Sequence, residues 1–237
     1  MSNGRLFGIG AGPGDPELLT LKAVRIIRES DVIFAPRKSE DDESTVLKIV
    51  EGAVDLKDKE ILRPIFAMSK ATDSFWEYGR RASEEIIGLL KEGKDVVFIT
   101  LGDVSIYSTF FYMQTYIKQK GFDVIIVPGI SSFSAGAAVA GIPLVLGMEN
   151  LVILPSIGDK DRLYDSIGSF DNLVIMKSGR NIPLIASIMG EKHVPLECAT
   201  VISNVGMDGE YIGPLDVGRE YGYFTTVIIS KGSKEQL

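Results

Sequence analysis

The segment GIGAGPGD, residues 8–15, places four glycines at alternate positions between an apolar run and an amphipathic helical pattern. Glycine reaches positive φ and has no Cβ to hold a ligand away from the main chain. The segment therefore predicts a loop whose backbone turns sharply beside a small molecule. The glycines concerned are Gly8, Gly10, Gly12 and Gly14.

The spacing of these glycines argues against a dinucleotide-binding loop. The GxGxxG pattern fails in every frame, because Pro13, Asp15 and Glu17 stand where the third glycine is required. The next predicted strand ends at Ala35 without an acidic residue for a ribose hydroxyl, which also counts against the ordinary Rossmann-like methyltransferases. A phosphate-binding loop is disfavoured as well, since no Gly-Lys-Ser/Thr follows the glycines.

Three further loops follow predicted strands or connect elements: Leu101 to Asp103, Pro128 to Ser132, and the segment around Gly141. Each loop alone is typical of a strand-to-helix turn, and in the second loop Ser131 or Ser132 would be the helix N-cap. In open α/β sheets, however, ligands bind beyond the carboxyl ends of the strands, where such loops gather. Together with the glycine loop, they predict a binding cleft.

Acid–base and metal chemistry find little support in the residue types. His193 is the single histidine, and we expect an exposed loop residue rather than a general base, because no Ser, Cys or carboxylate pattern completes a triad or metal site. Cys198 is the single cysteine, which leaves no disulfide framework or thiolate cluster within one chain. We therefore expect no protein-bound metal.

The elements that must position these loops alternate short apolar runs with helical stretches, a pattern typical of an α/β fold. Helices are predicted from Asp15-Pro16 onward, from Thr45, over Thr72 to Glu92, over Tyr107 to Gln119 and over Ser132 to Ala140. Five strands are predicted in the first half, at Leu6 to Gly10, Asp31 to Ala35, Glu60 to Leu62, Asp95 to Leu101 and Val124 to Val127.

The second half has a different balance of elements. Only two helical stretches fit between its strands, so part of its sheet is predicted to be antiparallel. The Gly- and Pro-containing connection GIPLVLGMEN separates the halves, and we expect two domains, 1–143 and 144–237. The predicted strands are Leu151 to Leu154, Leu173 to Met176, Ala199 to Ser203, Tyr211 to Gly213 and Thr225 to Ile229, with helices near Asp161 to Ile167 and Ile182 to Met189.

The composition is that of an ordinary globular protein. The 237 residues are 45% apolar and 24% charged, and no apolar run approaches the roughly 20 residues of a membrane helix. The N-terminus lacks a signal-peptide pattern, so a cytoplasmic protein without membrane association is expected. The net charge of −7 argues against a nucleic-acid partner.

In this order, the loops resemble the tetrapyrrole methylase family. The motifs are GIGAGPGD with PELLTLKA, then TLGDVSIYST, then VPGISSFSAGAAVAGIPL, and the resemblance extends across nearly the whole chain. Four further stretches are most similar to the C20-methyltransferase branch of corrin biosynthesis: DVIFAPRKSEDDEST, RPIFAMSK, GDVSIYSTFFYM and ENLVILPS. One departure is Val104, where the family usually has proline; the loop loses a fixed φ there, and we expect binding to be kept.

The resemblance implies the two-domain tetrapyrrole methylase fold, the class III S-adenosylmethionine methyltransferase fold. Its N-terminal sheet is mainly parallel and its C-terminal sheet mixed. It also implies a homodimer and S-adenosylmethionine bound in the cleft between the domains, with S-adenosylhomocysteine as product. The cofactor contacts carried over are Pro13, Leu101, Gly102, Asp103, Ile106, Ser131, Ser132, Met176, Lys177, Val205, Thr225 and Thr226.

The implied activity is methyl transfer to C20 of precorrin-2 or of cobalt-factor II. The alternatives are a sister methylase that acts elsewhere, and a nucleotide-binding regulatory module without turnover. Asp103 is a candidate for a chemical role, with a turn-capping carboxylate as the equal alternative. Candidate contacts to the polycarboxylate tetrapyrrole are Gly12, Gly14, Asp15, Arg37, Lys38 and Arg63.

Overall fold

The computed structural model describes residues 3–66, 72–155 and 159–232. Residues 67–70 of the RPIFAMSK stretch and Ser156 of ENLVILPS lie outside these ranges. The chain divides into two compact units, Met1–Ser131 and Ser132–Leu237. The predicted division between residues 143 and 144 lies farther along the chain, and the difference is one helix.

The first unit is built on a five-stranded sheet, in the order β3-β2-β4-β1-β5. All four pairings are parallel, as predicted. The strands are β1 Leu6–Gly10, β2 Val32–Phe34, β3 Glu60–Leu62, β4 Val96–Thr100 and β5 Val124–Val127. The helices are α1 Leu21–Glu29, α2 Thr45–Ala53, α3 Thr72–Lys91 and α4 Phe110–Gln119.

Helices cover both faces of this sheet, which explains why its central strands are almost entirely buried and carry mainly apolar side chains. Successive side chains of a strand point to opposite faces. Val97 and Ile99 of β4 thus pack in one core cluster with α1 and α2, while Val96 and Phe98 pack in a second cluster with α3 and α4. The carboxyl ends of all five strands lie at one edge of the sheet.

The second unit holds a mixed sheet in the order β6-β7-β10-β8-β9. Strands β6 and β7 are parallel and the other pairings antiparallel, which confirms the predicted mixed sheet. The strands are β6 Leu151–Leu154, β7 Asn172–Met176, β8 Ala199–Ser203, β9 Tyr211–Pro214 and β10 Thr225–Ser230. The helices are α5 Ser132–Ala140, α6 Lys160–Ser169 and α7 Ile182–Glu191.

Helix α5 belongs to the second unit because it packs on the second sheet. It lies beside β9 and β10, and a Cβ added at Gly136 would come 2.6 Å from side-chain atoms of Ile202 in β8. The small residues of this helix therefore serve a close helix–sheet approach. The boundary predicted from the sequence lies at the Gly- and Pro-containing connection that follows this helix.

Two predicted helix starts are wrong. The segment after Asp15 forms a short 3-10 turn over Pro16–Leu18, and α1 starts only after Thr20, whose hydroxyl accepts from the Ala23 N–H at 3.1 Å. Helix α4 starts at Phe110 rather than Tyr107, because Tyr107 has a φ of 48°, outside the right-handed helical region. Within the described residues, no helix combines the length and apolar character needed to cross a bilayer.

Candidate active site

The ends of β1 and β4 are joined beyond the regular sheet. Gly12 and Gly102 form an isolated antiparallel bridge, in which the Gly102 N–H donates to the Gly12 carbonyl at 2.7 Å and the Gly12 N–H donates back at 3.2 Å. Both residues have positive φ, 77° and 71°, which glycine adopts without steric cost. The glycine loop and the Gly102-Asp103 loop are therefore held together by main-chain hydrogen bonds.

The loop after β5 meets the same junction. A Cβ added at Gly129 would collide with the Gly102 carbonyl oxygen and would lie 2.6 Å from the carbonyl carbon and oxygen of Gly10. A Cβ added at Gly10 would lie 2.6 Å from the Gly102 oxygen and the Gly129 nitrogen. All of these atoms are backbone, which has little room to give way. Three strand ends thus approach each other as closely as bare main chain allows.

Asp103 fastens this junction with its side chain. Its Oδ1 accepts hydrogen bonds from the Ser105 N–H at 2.8 Å and from the Ser105 hydroxyl, and its Oδ2 accepts from the Gly129 N–H at 2.8 Å. Partial burial alone would raise the pKa of Asp103, but the hydrogen bonds from Ser105, Gly129 and Val104 outweigh it and lower the pKa. Asp103 is therefore a carboxylate at neutral pH, with both oxygens engaged in holding loops.

The unusual Val104 has a structural reason. Its side chain is 0% exposed and belongs to the core cluster that contains Phe98 and Phe110. Gly8 is explained in the same region, since a Cβ there would collide with the Phe110 ring. The buried Val104 side chain fixes the loop to this core cluster. An apolar contact therefore restrains the loop where a proline would restrain it through its fixed φ.

Much of the glycine loop faces the protein. Gly12, Pro13 and Gly14 are buried, and Asp15 caps the following 3-10 turn by accepting from the Glu17 N–H at 2.9 Å. The interpretation that all four glycines bring main chain beside a ligand is therefore too broad. Gly8 and Gly10 are required by contacts within the protein, and Gly12 by the bridge to Gly102.

The basic candidates lie at the same edge of the sheet as these loops. Arg37 and Lys38 follow β2, and Arg63 follows β3 directly. Arg63 and Lys38 are exposed, whereas Arg37 is half-buried and its Nε–H donates to the Arg63 carbonyl at 3.2 Å. The two loops thus place three cations near the carboxyl ends of the neighbouring strands.

A second group gathers in the second unit at one end of its sheet. Thr226 pairs with Met176 across β10 and β7, and Thr225 pairs with Ser203 across β10 and β8. The Thr225 hydroxyl lies 2.9 Å from the Ser203 hydroxyl and donates to the Gly222 carbonyl at 2.8 Å. The structure therefore brings together the predicted residues Met176, Lys177, Val205, Thr225 and Thr226.

Two residues of this end have left-handed backbone conformations that side chains disfavour. Lys177 follows β7 with a φ of 57°, and Asn204 follows β8 with a φ of 52°. Asparagine tolerates this region, but a lysine there costs free energy. Such strain concentrates at functional sites. Asn204 was missed by the sequence interpretation, and its one sequence signal is an asparagine directly after an apolar strand.

The remaining predicted residues are placed individually. Ile106 is half-buried, and its N–H reaches the Asp103 carbonyl at 3.4 Å. Leu101 packs against the first core cluster, and Ser131 and Ser132 are half-buried on either side of the division between the units. His193 is exposed, as predicted. Among residues 3–66, 72–155 and 159–232, no three His, Cys, Asp or Glu side chains gather as a metal site requires.

The chain is similar to proteins of known family. The model of the family Tetrapyrrole (Corrin/Porphyrin) Methylases matches residues 5–218. A protein of Methanocaldococcus jannaschii described as "probable cobalt-precorrin-2 C(20)-methyltransferase" is 40% identical over 174 residues, 73% of this chain and 72% of that protein. The precorrin-2 C(20)-methyltransferase of a Sinorhizobium species is 32% identical over 189 residues, 77% of this chain and 76% of that protein.

The fold has solved counterparts. The crystal structure of the uroporphyrin-III C-methyl transferase of Thermus thermophilus, complexed with S-adenyl homocysteine, matches with a TM-score of 0.68 at 21% identity. The match covers 96% of this chain and 98% of that one. The family model spans the strand-end loops of the first unit and strands β7 and β8 of the second, and it ends before β10. Because it matches well over half of the chain, the chain belongs to the tetrapyrrole methylase family.

Proposed function

We propose that this protein transfers the methyl group of S-adenosylmethionine to C20 of precorrin-2 or of its cobalt complex, in the biosynthesis of the corrin ring. Two relatives that are at least 30% identical over about three quarters of the chain carry the C20 activity in their names. The observation that carries the proposal is the junction at Gly10, Gly102 and Gly129, where the family's three N-terminal motifs meet at one edge of the first sheet.

The residues at this junction suit a small polar cofactor. Its three glycines let three strand ends approach as closely as bare main chain allows, and Leu101, Asp103 and Ile106 belong to the loop after β4 that is held there. S-adenosylmethionine supplies an electrophilic methyl group, so the chain needs no metal for the transfer itself. We propose these loop residues, with Pro13, Ser131 and Ser132, as cofactor contacts.

We also propose Met176, Lys177, Val205, Thr225 and Thr226 as cofactor contacts. Support comes from their assembly at one end of the second sheet and from the left-handed backbone of Lys177. A left-handed backbone at a non-glycine residue costs free energy and persists only where the surrounding structure enforces it, and such residues cluster at ligand-binding sites.

Replacing Lys177 with glycine tests that assignment. Glycine adopts positive φ freely, so we expect the free energy of unfolding to rise by up to about 1 kcal/mol. His193 has a φ of 55° after α7 and provides the matched control, since it is exposed and not proposed to bind. Urea unfolding should show stabilisation in both variants, whereas calorimetric titration with S-adenosylhomocysteine should show weaker binding only in Lys177→Gly. Equal affinities would remove Lys177 from the site.

The chain's contribution to the reaction is mainly positional. A carbon nucleophile must be held about 3 Å from the methyl group with water excluded, which accounts for a large part of the rate in such displacements. Because both oxygens of Asp103 already accept hydrogen bonds, we propose that it positions the loop after β4, and that the proton of C20 is released to water. We propose that the carboxylates of the tetrapyrrole meet the cationic loops after β2 and β3, which carry Arg37, Lys38 and Arg63. The ring is proposed to lie on the side of Gly12, Gly14 and Asp15.

We further propose a cytoplasmic homodimer without nucleic-acid or membrane partners. The support is the family to which the chain belongs and its net charge of −7. Sedimentation equilibrium should give twice the mass of the chain. A monomeric mass at micromolar concentration would contradict the dimer.

Turnover tests the function directly. The purified protein is incubated with labelled S-adenosylmethionine and either precorrin-2 or its cobalt complex, and the products are separated and weighed by mass spectrometry. We expect a monomethylated product from at least one of the two rings, and the preferred ring shows whether cobalt is already present. Tight S-adenosylhomocysteine binding without any methylated product would indicate a regulatory module instead.

A further inference from the structure

The loops after β2 and β3 continue the pairing of their strands. Arg37 and Ile65 form a parallel bridge, in which the Arg37 N–H donates to the Pro64 carbonyl at 3.0 Å and the Phe66 N–H donates to the Arg37 carbonyl at 2.9 Å. Arg37 therefore has its main chain tied to the segment that carries Arg63.

The side chain of Arg37 strengthens the same connection. Its Nε–H donates to the carbonyl of Arg63 at 3.2 Å, and its Nη1 donates to the carbonyl of Glu40. One planar guanidinium thus holds a carbonyl from each of two loops in a fixed geometry, which a flexible ammonium group does not reproduce. Arg37 is half-buried, and both of these donors are engaged by main-chain carbonyls of the protein.

Arg63 differs from Arg37 in its surroundings. It is exposed directly after the carboxyl end of β3, and its positive charge contributes to the lowered pKa of the exposed Glu43, which is set mainly by Lys48. The carbonyl that Arg37 holds belongs to Arg63 itself. Arg37 thereby fixes the point of the main chain from which the Arg63 side chain extends.

We propose that Arg63 contacts a carboxylate of the tetrapyrrole and that Arg37 is a positioning residue that acts through Arg63. The proposal rests on the proposed function. It gives different roles to Arg37 and Arg63, which the sequence analysis names together as candidate substrate contacts. It also fits an arginine at position 37, since two separate nitrogens of one planar group reach the Arg63 and Glu40 carbonyls. At position 63, by contrast, any compact positive charge suffices for a carboxylate.

Binding of an oxidised, non-reacting ring separates the two roles. The probe is metal-free sirohydrochlorin, the oxidised form of precorrin-2, which keeps the eight carboxylates. It is used without S-adenosylmethionine, so that no transfer occurs, and its binding is followed by fluorescence at several salt concentrations. We expect Arg63→Gln to weaken binding about tenfold at low salt and to flatten its salt dependence, because a charge pair is lost. Arg37→Gln should weaken binding to a similar extent yet keep the wild-type salt dependence, because the charge at Arg63 remains.

The conservative variants and the double variant complete the test. Arg63→Lys should recover most of the affinity, whereas Arg37→Lys should recover little. The double variant Arg37→Gln, Arg63→Gln should bind no more weakly than Arg63→Gln alone, since residues that act through one contact are not additive. Arg25→Gln on α1 removes an equal charge from an exposed pair with Glu29 and serves as the control.

Two results would overturn the proposal. A flattened salt dependence in Arg37→Gln would make Arg37 a direct ligand, and unchanged binding in Arg63→Gln would remove Arg63 from the site. Unfolding curves and S-adenosylhomocysteine titrations of every variant show whether a substitution has impaired folding or cofactor binding. If Arg37→Gln does not fold, Arg37→Lys still tests the role of Arg37. Because the probe does not react, failure of the wild type to methylate precorrin-2 would count against the proposed function alone.

Discussion

Gly129→Ala is expected to lower the affinity for S-adenosylhomocysteine by at least about tenfold and the free energy of unfolding by about 2 kcal/mol, as overpacking of close-packed atoms does. The added methyl group would collide with the Gly102 carbonyl oxygen and lie 2.6 Å from the carbonyl of Gly10. Because the colliding atoms are all main chain, the ends of β1, β4 and β5 must separate to admit it. Calorimetric titration and urea unfolding measure the two effects.

Gly88→Ala is the matched control for that substitution. Gly88 is exposed in α3, and nothing lies within 4 Å of a Cβ added there. Alanine in a helix interior is more favourable than glycine, so this variant should gain about 0.5 to 1 kcal/mol of stability with unchanged affinity. Wild-type affinity in Gly129→Ala would show that the junction tolerates a side chain and is not the cofactor site.

Asp103→Asn is expected to reduce kcat/KM by about 10- to 100-fold, since hydrogen bonds to charged groups are worth about 1.5 to 3 kcal/mol. The amide keeps one acceptor for Ser105 but cannot accept from the Gly129 N–H with its nitrogen. The affinity for S-adenosylhomocysteine should fall as well, because the loops after β4 and β5 lose their connection. Ser105→Ala removes one donor from the same carboxylate and should show a smaller loss.

The pH dependence distinguishes positioning from proton transfer. The hydrogen bonds lower the pKa of Asp103, so its contribution to stability is fully present above the ordinary pKa of an aspartate and is lost as the pH falls through the lowered pKa. The difference in unfolding free energy between wild type and Asp103→Asn should therefore shrink in acid. A base at Asp103 would instead give a variant with intact cofactor affinity and a strongly reduced kcat, and the acid limb of the kcat profile would be absent from the residual activity.

The sequence predicted the sheets better than it predicted where helices begin. β1, β3 and β5 have the predicted bounds, because each is a short, mainly apolar run flanked by Gly, Pro or charged residues. The start of α4 was predicted too early, since an apolar period cannot reveal that Tyr107 turns to positive φ. The packing of α5 on the second sheet is likewise not encoded in the apolar pattern of the sequence.

For the candidate site, the sequence predicted which loops lie together, but it did not predict the hydrogen bonds between them. The loops after β1, β4 and β5 meet because carboxyl ends of parallel strands share one edge. That Asp103 accepts from the main chain of Gly129, or that Arg37 donates to two carbonyls, depends on side-chain conformations that no spacing encodes. The glycines at positions 8 and 10 were correctly expected to be special, but contacts inside the protein are what exclude a side chain there.

The proposed methylation at C20 is tested most directly by locating the transferred methyl group on the product ring. Precorrin-2 and its cobalt complex are each incubated with S-adenosylmethionine carrying a carbon-13 methyl group, and the product is examined by nuclear magnetic resonance. We expect a single labelled methyl group bound to C20 of at least one of the two rings. Label on another ring carbon, or no methylated ring despite tight binding of S-adenosylhomocysteine, would contradict it.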